Sequence, residues 1–519
     1  MLSKKSNSQN NKRLLKNSII LYARMILSLI ITLYTSRLVL QSLGIEDYGI
    51  FSVVGGTVTI MSFLSGAMAS ANQRFFSYTL GDCGKSSIEL KNIFNTSLNI
   101  HILIVSIGIV VALTFGLYLV DSVLNIEPDK HEAAKFIFYC AVFSFCCSVI
   151  QVPYNALIIA FEKMTVFAAL GIVDVVIKFL VAISLQFLAT DKLETYGFLL
   201  CISSFLVLIL NMAYVRIRFA CSKYSFYWNQ KLFNTLISYT GWNLFGNLSS
   251  VMSVQGINII LNVFFGVTVN ASRAIAFQVQ MAVTGLINSL MTAINPQIVK
   301  SYANGDLSYM QHLVFKGTKY SFILMFLISL PLMLQIDYIL GLWLGMVPEY
   351  ASIFCQLILI DSLIVVLSNG LMTAFQATGK IKAYQVIVGG ILLLNIPISY
   401  VFLSFGAAPY VVAWVAIMLS VLAFGARIIL LTRVMSFDVS SFFKLVILKV
   451  VSIVVVAGLP SIIVNSLEIT TNLKFSVVVS SSILFIAITV YFLGLDGDER
   501  SFLKKIVATS ISKLTTNRV

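Results

Sequence analysis

The chain has 519 residues, of which 59% are hydrophobic and 11% charged, with a mean hydropathy of +0.95 and a formal net charge of +14. A soluble protein carries roughly a quarter charged residues, and a water-soluble fold of this size would leave large apolar patches exposed. Composition therefore excludes a large soluble enzyme and points to an all-α integral membrane protein.

Apolar runs of about 20 residues mark helices long enough to cross a bilayer. Fourteen such spans are predicted, at about 17–42, 48–76, 90–120, 133–160, 165–189, 195–217, 234–265, 270–302, 310–335, 350–377, 384–405, 409–433, 442–465 and 472–494. Runs such as "FSVVVSSSILFIAITVYFLGL" do not alternate as the strands of a membrane barrel must. The first span follows "KKSNSQNNKRLLK", which resembles the front of a signal peptide. Its length and the absence of a small-residue cleavage site predict a retained first helix. The seven cysteines form no CxxC pair and the three histidines are scattered, so no metal site is expected.

The loops alternate in sign. Those after even-numbered spans, and both tails, are basic, with Lys85 and Lys91, Arg216 and Arg218, Lys300 and Lys316, Lys380 and Lys382, Arg427 and Arg433 among them. Those after odd-numbered spans are mostly acidic, with Glu46 and Asp47, Asp121 and Glu127, Asp191 and Glu194, Asp337 and Glu349, and Glu468. Lysine and arginine flanks stay in the cytoplasm, so both termini are expected there and the span number must be even. The net charge needs no nucleic acid as partner; it belongs to inside loops that also meet anionic membrane lipid.

"SYTLGD" (Ser77–Asp82) returns as "SYANGD" (Ser301–Asp306). Over residues 65–82 and 289–306, seven of eighteen positions are identical, among them Ser65/Ser289, Ala69/Ala293, Gln73/Gln297 and Ser77/Ser301, which recur every four residues as one helix face does. "ALIIAFEKM" and "LMTAFQATGK" echo each other in the same way. Six spans separate the copies, so spans 1–6 and 7–12 form a parallel repeat, the plan of transporters that hold substrate between lobes and alternate access. The expected organisation is an N-terminal lobe at 1–220, a C-terminal lobe at 221–435, and an added pair of spans with a cytoplasmic tail at 436–519.

"LYTSRLVLQSLGIEDYGIFSVVGG", "SGAMASANQRFFSYTLGD", "VPYNALIIAFEKM" and "AFQATGKIKAYQ" resemble the polysaccharide-transporter branch of the MOP (multidrug/oligosaccharidyl-lipid/polysaccharide) superfamily, with most likeness to Wzx-type O-antigen and capsule repeat-unit flippases of Gram-negative bacteria. The resemblance implies a MATE-like V of two six-helix lobes, with spans 1, 2, 7 and 8 lining a central cavity. It further implies an undecaprenyl-pyrophosphate-linked oligosaccharide as cargo, a bacterial inner-membrane location in lipopolysaccharide or capsule assembly, and neighbouring polysaccharide-assembly membrane proteins. No resident cofactor is expected; coupling to a proton or sodium gradient is.

Charges within spans are costly and mark function. Arg24 and Arg37 lie in span 1, Arg74 near the inner end of span 2 and Arg273 near the outer end of span 8. Guanidinium forks suit a pyrophosphate, while snorkelling or helix capping is the structural alternative. In span 7, Asn243, Asn247, Ser250, Gln255, Asn258 and Asn262 share one face, to contact sugar hydroxyls or to join helices. Asp174 and Lys178 stand four apart in span 5, for an ion pair or ion handling, and Asp361 in span 10 is a candidate for ion coupling. Gly55–Gly56, Gly389–Gly390 and Pro153, Pro296, Pro331, Pro397 and Pro460 suit hinges or close packing.

A MATE-type drug exporter and a lipid II flippase remain alternatives. A membrane glycosyltransferase or polymerase fits less well, because the external loops are short. The chain has no GxxxxGK[ST] phosphate loop, and no enzymatic activity is expected.

Overall fold

The computed structural model describes residues 17–32, 34–35, 38–39, 41–44, 47, 50–51, 54, 62–82, 87–118, 120, 128–187, 191–265, 267–344, 347–467, 471–497 and 499–501. Among them the regular structure is helical. The main helices are α1 (Asn17–Thr32), α2 (Ser62–Gly81), α3 (Ser87–Val111), α4 (His131–Ala160), α5 (Met164–Ser184), α6 (Lys192–Arg218) and α7 (Gln230–Phe265). They continue with α8 (Val267–Ala303), α9 (Leu307–Leu334), α10 (Ala351–Thr378), α11 (Ile381–Ser404), α12 (Val411–Val434), α13 (Val439–Ser466) and α14 (Leu473–Gly494).

Each of the fourteen predicted spans overlaps one of these helices. Twelve of the described helices are long and apolar enough to cross a membrane; α1 is described as a shorter apolar helix and α2 falls outside the twelve. The sequence reading did not anticipate the short helix Ile336–Leu344, which follows α9 after a turn at Gln335. The reason is that one continuous apolar run hides a break that only backbone direction reveals.

Polar side chains set the helix ends. Asp191 accepts from the N–H groups of Leu193 and Glu194 at the start of α6, Asn229 from Leu232 at the start of α7, Asp306 from Tyr309 at the start of α9, and Asp438 from Ser441 at the start of α13. Each supplies an acceptor to an amide that the first helical turn leaves without one. Pro153, Pro296, Pro331 and Pro460 are carried inside helices. Five-residue π segments interrupt the regular ladder at Ala112–Gly116, Phe443–Ile447 and Val490–Gly494.

The interior is apolar, as in a soluble fold, but so is much of the exterior. Ile462, Ile463, Leu459 and Val455 of α13 are exposed, whereas Asn95, Asn211, Thr318 and Ser399 are fully buried. Many buried polar groups bond to one another or to the backbone, as Asn95 does to Ser225 at 3.0 Å and Asn211 to the Val207 carbonyl at 2.9 Å. One such network joins α2 to α3: Ser97 donates to Asn72 at 2.6 Å, Asn72 donates to His101 Nε2 at 3.2 Å, and His101 Nδ1–H donates to the Ser97 carbonyl at 2.7 Å.

The chain forms two compact units, Met1–Val254 with Asn288–Met310 and Met372–Leu393, and Gln255–Ile287 with Gln311–Leu371 and Leu394–Val519. The first therefore takes in α1–α6 together with the portions of α7, α8, α10 and α11 that end at basic loops. Its core is built on Phe76, Phe94, Tyr154 and Leu157, with Leu236 and Tyr239 of α7 and Ile381 of α11. A smaller cluster seats Ala293 of α8 against Leu21 of α1 and Met164 and Ala168 of α5.

The second unit packs around Leu261, Phe354, Cys355, Leu340 and Val412. There the end of α14 is tied to α9. Lys319 Nζ, almost fully buried, donates to the Gly494 carbonyl and to Glu499 Oε2, each at 3.0 Å, and lies 3.6 Å from Asp496. Lys316 pairs with Glu499 at 3.1 Å, and Lys449 of α13 pairs with Asp496. Burial works against the Glu499 charge, but hydrogen bonds from Tyr320 and the Asp496 N–H, with the Lys319 ammonium, outweigh it and bring the carboxyl down to about 2.

Candidate functional site

Among the described residues no group of histidine, cysteine, aspartate or glutamate could hold a metal ion. The charged side chains predicted inside the spans divide into two kinds of surroundings.

The first is a polar cavity of about 300 Å³ within the first unit, lined by Arg24 of α1, Ser144, Ser148, Gln151 and Asn155 of α4, Gly171, Asp174 and Lys178 of α5, and Ser204 of α6. Lys178 Nζ donates to Asp174 at 2.9 Å, the ion pair that their spacing predicts. Arg24 stacks over the Phe167 ring at 4.5 Å and feels the Asp174 charge. Two cations against one carboxylate leave one net positive charge, surrounded by hydroxyls and amides.

Gly171 makes this placement of Arg24 sterically feasible. A Cβ there would lie 2.4 Å from Arg24 Nε, so the guanidinium rests on bare α5 backbone. The sequence reading missed Gly171, for a lone glycine in an apolar helix carries no signal of what lies on it. It also missed Ser144, Ser148, Gln151 and Asn155, although their spacing places all four on one face of α4 and would have revealed the stripe. The cavity is at the lower end of the roughly 300–1,000 Å³ range of ligand pockets. It suits a group that is at once anionic and rich in hydroxyls.

The second kind of surroundings is structural. Arg74 lies within 4.7, 4.8 and 5.4 Å of the ring centres of Phe75, Tyr78 and Tyr239, and its Nη2 donates to the Ala377 carbonyl at 3.3 Å. It caps the last turn of α10, where carbonyls lack helical partners and a cation is favoured. The structure thus groups Arg74 with a helix end, not with Arg24, and the capping alternative describes its contacts.

In the second unit, buried Arg273 donates to the Asn258 side chain and stacks over Phe277 at 4.5 Å. Asn258 therefore joins α7 to α8. In the first unit, buried Asn243 accepts from Gln385 of α11 at 3.0 Å. For these two amides the helix-joining alternative describes the contacts, because each finds a long polar partner on a neighbouring helix. Asn247 is half-buried, and Ser250 donates to the Gly246 carbonyl of its own helix at 3.1 Å. Asp361 accepts from Ser420 of α12, and its Oδ1 is buried without a hydrogen-bond partner among the described residues. Arg37 and Gly55–Gly56 lie outside the described residues, as do the side chains of Gln255 and Asn262.

Comparison with known proteins follows the same lines. The family model described as "Polysaccharide biosynthesis protein" matches residues 14–302, more than half of the chain. No curated protein sequence matches the chain significantly. Solved structures do. A MATE protein crystallised in complex with MaD3S has a TM-score of 0.69 at 12% identity, over 82% of this chain and 97% of its own. An outward-facing multidrug resistance MATE family transporter of the MOP superfamily has a TM-score of 0.68 at 13% identity, over 82% and 96%. A MOP superfamily transporter from Pyrococcus furiosus, described as having a binding pocket of reverse polarity, has a TM-score of 0.64 at 13% identity, over 81% and 96%. At these identities the likeness is one of fold, and the fold is MATE-like. The resemblance seen in the sequence motifs is upheld by both kinds of match.

Proposed function

Because the chain belongs to the polysaccharide biosynthesis protein family and is a multi-pass membrane transporter by family and fold, we propose that it is a flippase for a lipid-linked oligosaccharide. In this reading it moves an undecaprenyl-pyrophosphate-linked repeat unit, of the O-antigen or capsule kind, across a bacterial inner membrane by alternating access. Both termini are cytoplasmic, in keeping with the basic loops after even-numbered spans.

The observation that carries the reading is the cavity around Arg24. Its surplus positive charge suits a phosphate oxygen, and its α4 stripe of Ser144, Ser148, Gln151 and Asn155 suits sugar hydroxyls. Asp174 keeps the site from holding the anion too tightly to release it, since it already shares Lys178. A proton or sodium gradient driving the cycle would act on Asp174 or Asp361. An exporter of organic cations fits less well, because the one acid at the cavity, Asp174, is already paired with Lys178 and faces Arg24 as well.

The test is surface display of the glycan in cells whose own flippase is deleted. Arg24→Ala is expected to reach the membrane at the parent level and to stop display, with lipid-linked intermediate accumulating on the cytoplasmic leaflet. Undiminished display would remove Arg24 from the site.

A further inference from the structure

The repeated segments of this chain meet each other, and they do so at the ends that carry basic loops. In the turn between α4 and α5, Glu162 is buried and has a φ of 59°, a left-handed conformation that a glutamate rarely adopts. Both of its carboxylate oxygens are turned onto α8. Gln297 Nε2 donates to Oε2 at 2.7 Å, and Lys300 Nζ pairs with Oε1. Beside this contact, α2 presses its Gly81 against the α8 backbone: a Cβ on Gly81 would stand 2.5 Å from the Lys300 carbonyl oxygen. Gly81 belongs to "SYTLGD", and Lys300 immediately precedes "SYANGD".

A counterpart lies across the repeat. Glu162 sits in "AFEK", and its echo in "AFQA" is Gln376 at the end of α10. Gln297 echoes Gln73, the neighbour of Arg74. The end of α10 is held from α2 and α7, by Arg74 on the Ala377 carbonyl at 3.3 Å and by the Tyr239 hydroxyl on the Gln376 carbonyl at 3.2 Å. Gly379, with φ +77°, turns the chain directly beneath the Arg74 guanidinium. The same contact is thus made twice, the loop after span 4 onto span 8 and the end of span 10 onto span 2. One arm is a carboxylate on an ammonium; in the other, glutamine has replaced glutamate and backbone carbonyls take the cation.

We propose that these two arms are the latch that closes the basic-loop face of the transporter. Glu162, Gln297 and Lys300 form its charged arm, and Arg74, Tyr239 and the last turn of α10 a second arm, in which a guanidinium meets a backbone carbonyl and no carboxylate. An alternating-access cycle has to break both to admit or release cargo at that face. The charged arm sets how often it opens, for a partly buried ion pair loses most of its stabilisation when one partner is neutralised. The strained backbone at Glu162 means that the pair holds the turn in a shape it would not otherwise keep. The proposal rests on the reading of the chain as a transporter, but not on the identity of its cargo.

The test uses full-length protein in open membrane fragments, with the native cysteines replaced and one reporter introduced at Ser301, which is 8% exposed beside the latch. The readout is its rate of reaction with a water-soluble maleimide. Glu162→Gln is expected to raise that rate by about tenfold or more. The exchange E162K/K300E is expected to return it most of the way to the parent. Arg74→Gln, with a second reporter at Ser77 in place of Ser301, is expected to give a smaller rise. Folding is checked by the unfolding temperature of each purified variant. An unchanged rate in Glu162→Gln, or a rise that the charge exchange fails to reverse in folded protein, overturns the latch. If labelling behaves as expected while no variant affects glycan display, the latch stands and the cargo assignment falls. If labelling is flat while Arg24→Ala abolishes display, the reverse holds.

Discussion

Arg24 and Arg74 read alike in the sequence, each a guanidinium within an apolar span, and the structure gives them opposite company. Arg24 stands at the wall of a polar cavity and shares one carboxylate with Lys178, so the group carries surplus charge and has room for a ligand. Arg74 is wedged among three aromatic rings and spends its donor on the end of a helix. Depth and charge therefore do not separate the arginine proposed to bind cargo from the one that caps a helix. The nature of the acceptor does: a backbone carbonyl at a helix end takes up the donor within the protein itself, whereas a shared carboxylate beside a cavity leaves capacity for something else.

The comparison breaks most sharply under alanine. Arg24→Ala is expected to reduce glycan display by about a hundredfold or more, in line with the loss of a desolvated phosphate contact, while the unfolding temperature in detergent stays near that of the parent. Arg74→Ala is expected to do the opposite. Unfolding should cost about 1–3 kcal/mol less, through the lost cap and cation–π contacts, and display should fall far less than it does in Arg24→Ala. A large loss of stability in Arg24→Ala, or a catalytic-like loss with full stability in Arg74→Ala, would exchange their roles.

Gly171→Ala sharpens the first arm. The added methyl meets only the flexible end of Arg24, so the guanidinium moves aside at little cost to the fold. Display should drop several-fold, with an unfolding temperature close to the parent's. An unchanged display would mean that the observed position of Arg24 against α5 is not the one used in transport. Asp174→Asn is expected to lower stability by under about 1 kcal/mol, because its pair with Lys178 is partly open to solvent. It should tighten the hold on an anionic cargo and slow turnover.

The smallest effect concerns a third buried cation on the structural side, Lys319. Its partner Glu499 has a folded-state value near 2, below the ordinary carboxyl value of about 4.3. The stabilisation from Glu499 is therefore fully present above about pH 4.3 and lost as pH falls toward 2. The stability difference between the parent and Glu499→Gln, read from thermal unfolding across pH, should be flat from neutrality to about pH 5 and shrink below pH 4. A difference that grows on acidification would contradict the arrangement around Lys319.

Much of this fold was legible because a bilayer leaves few options. Long apolar runs fell on every main helix among the described residues, and the motif resemblance announced the MATE-like fold. The Asp174–Lys178 pair followed from a spacing of four. What escaped was whatever depends on a partner far along the chain. Arg74 and Ala377 are 303 residues apart, and Asn243 and Gln385 are 142 apart. Asn243 and Asn258 were open to two readings, since an amide that greets a sugar and one that ties helices place the same demand on a helical wheel. The α4 stripe was readable and overlooked, because hydroxyls and amides draw less attention than charges. Gly171 was not readable at all: what matters there is the side chain that lies across it.

The attachment of α14 to α9 has a bearing on how the protein is made. Lys319 is synthesised some 175–180 residues before its three acceptors, the Gly494 carbonyl and the Asp496 and Glu499 carboxylates that neutralise it. While the ribosome is still translating, an ammonium without its counter-charge sits in a nascent helix entering lipid. A chain halted before residue 496 lacks both carboxylates, so the ammonium is compensated only once translation has passed the end of α14.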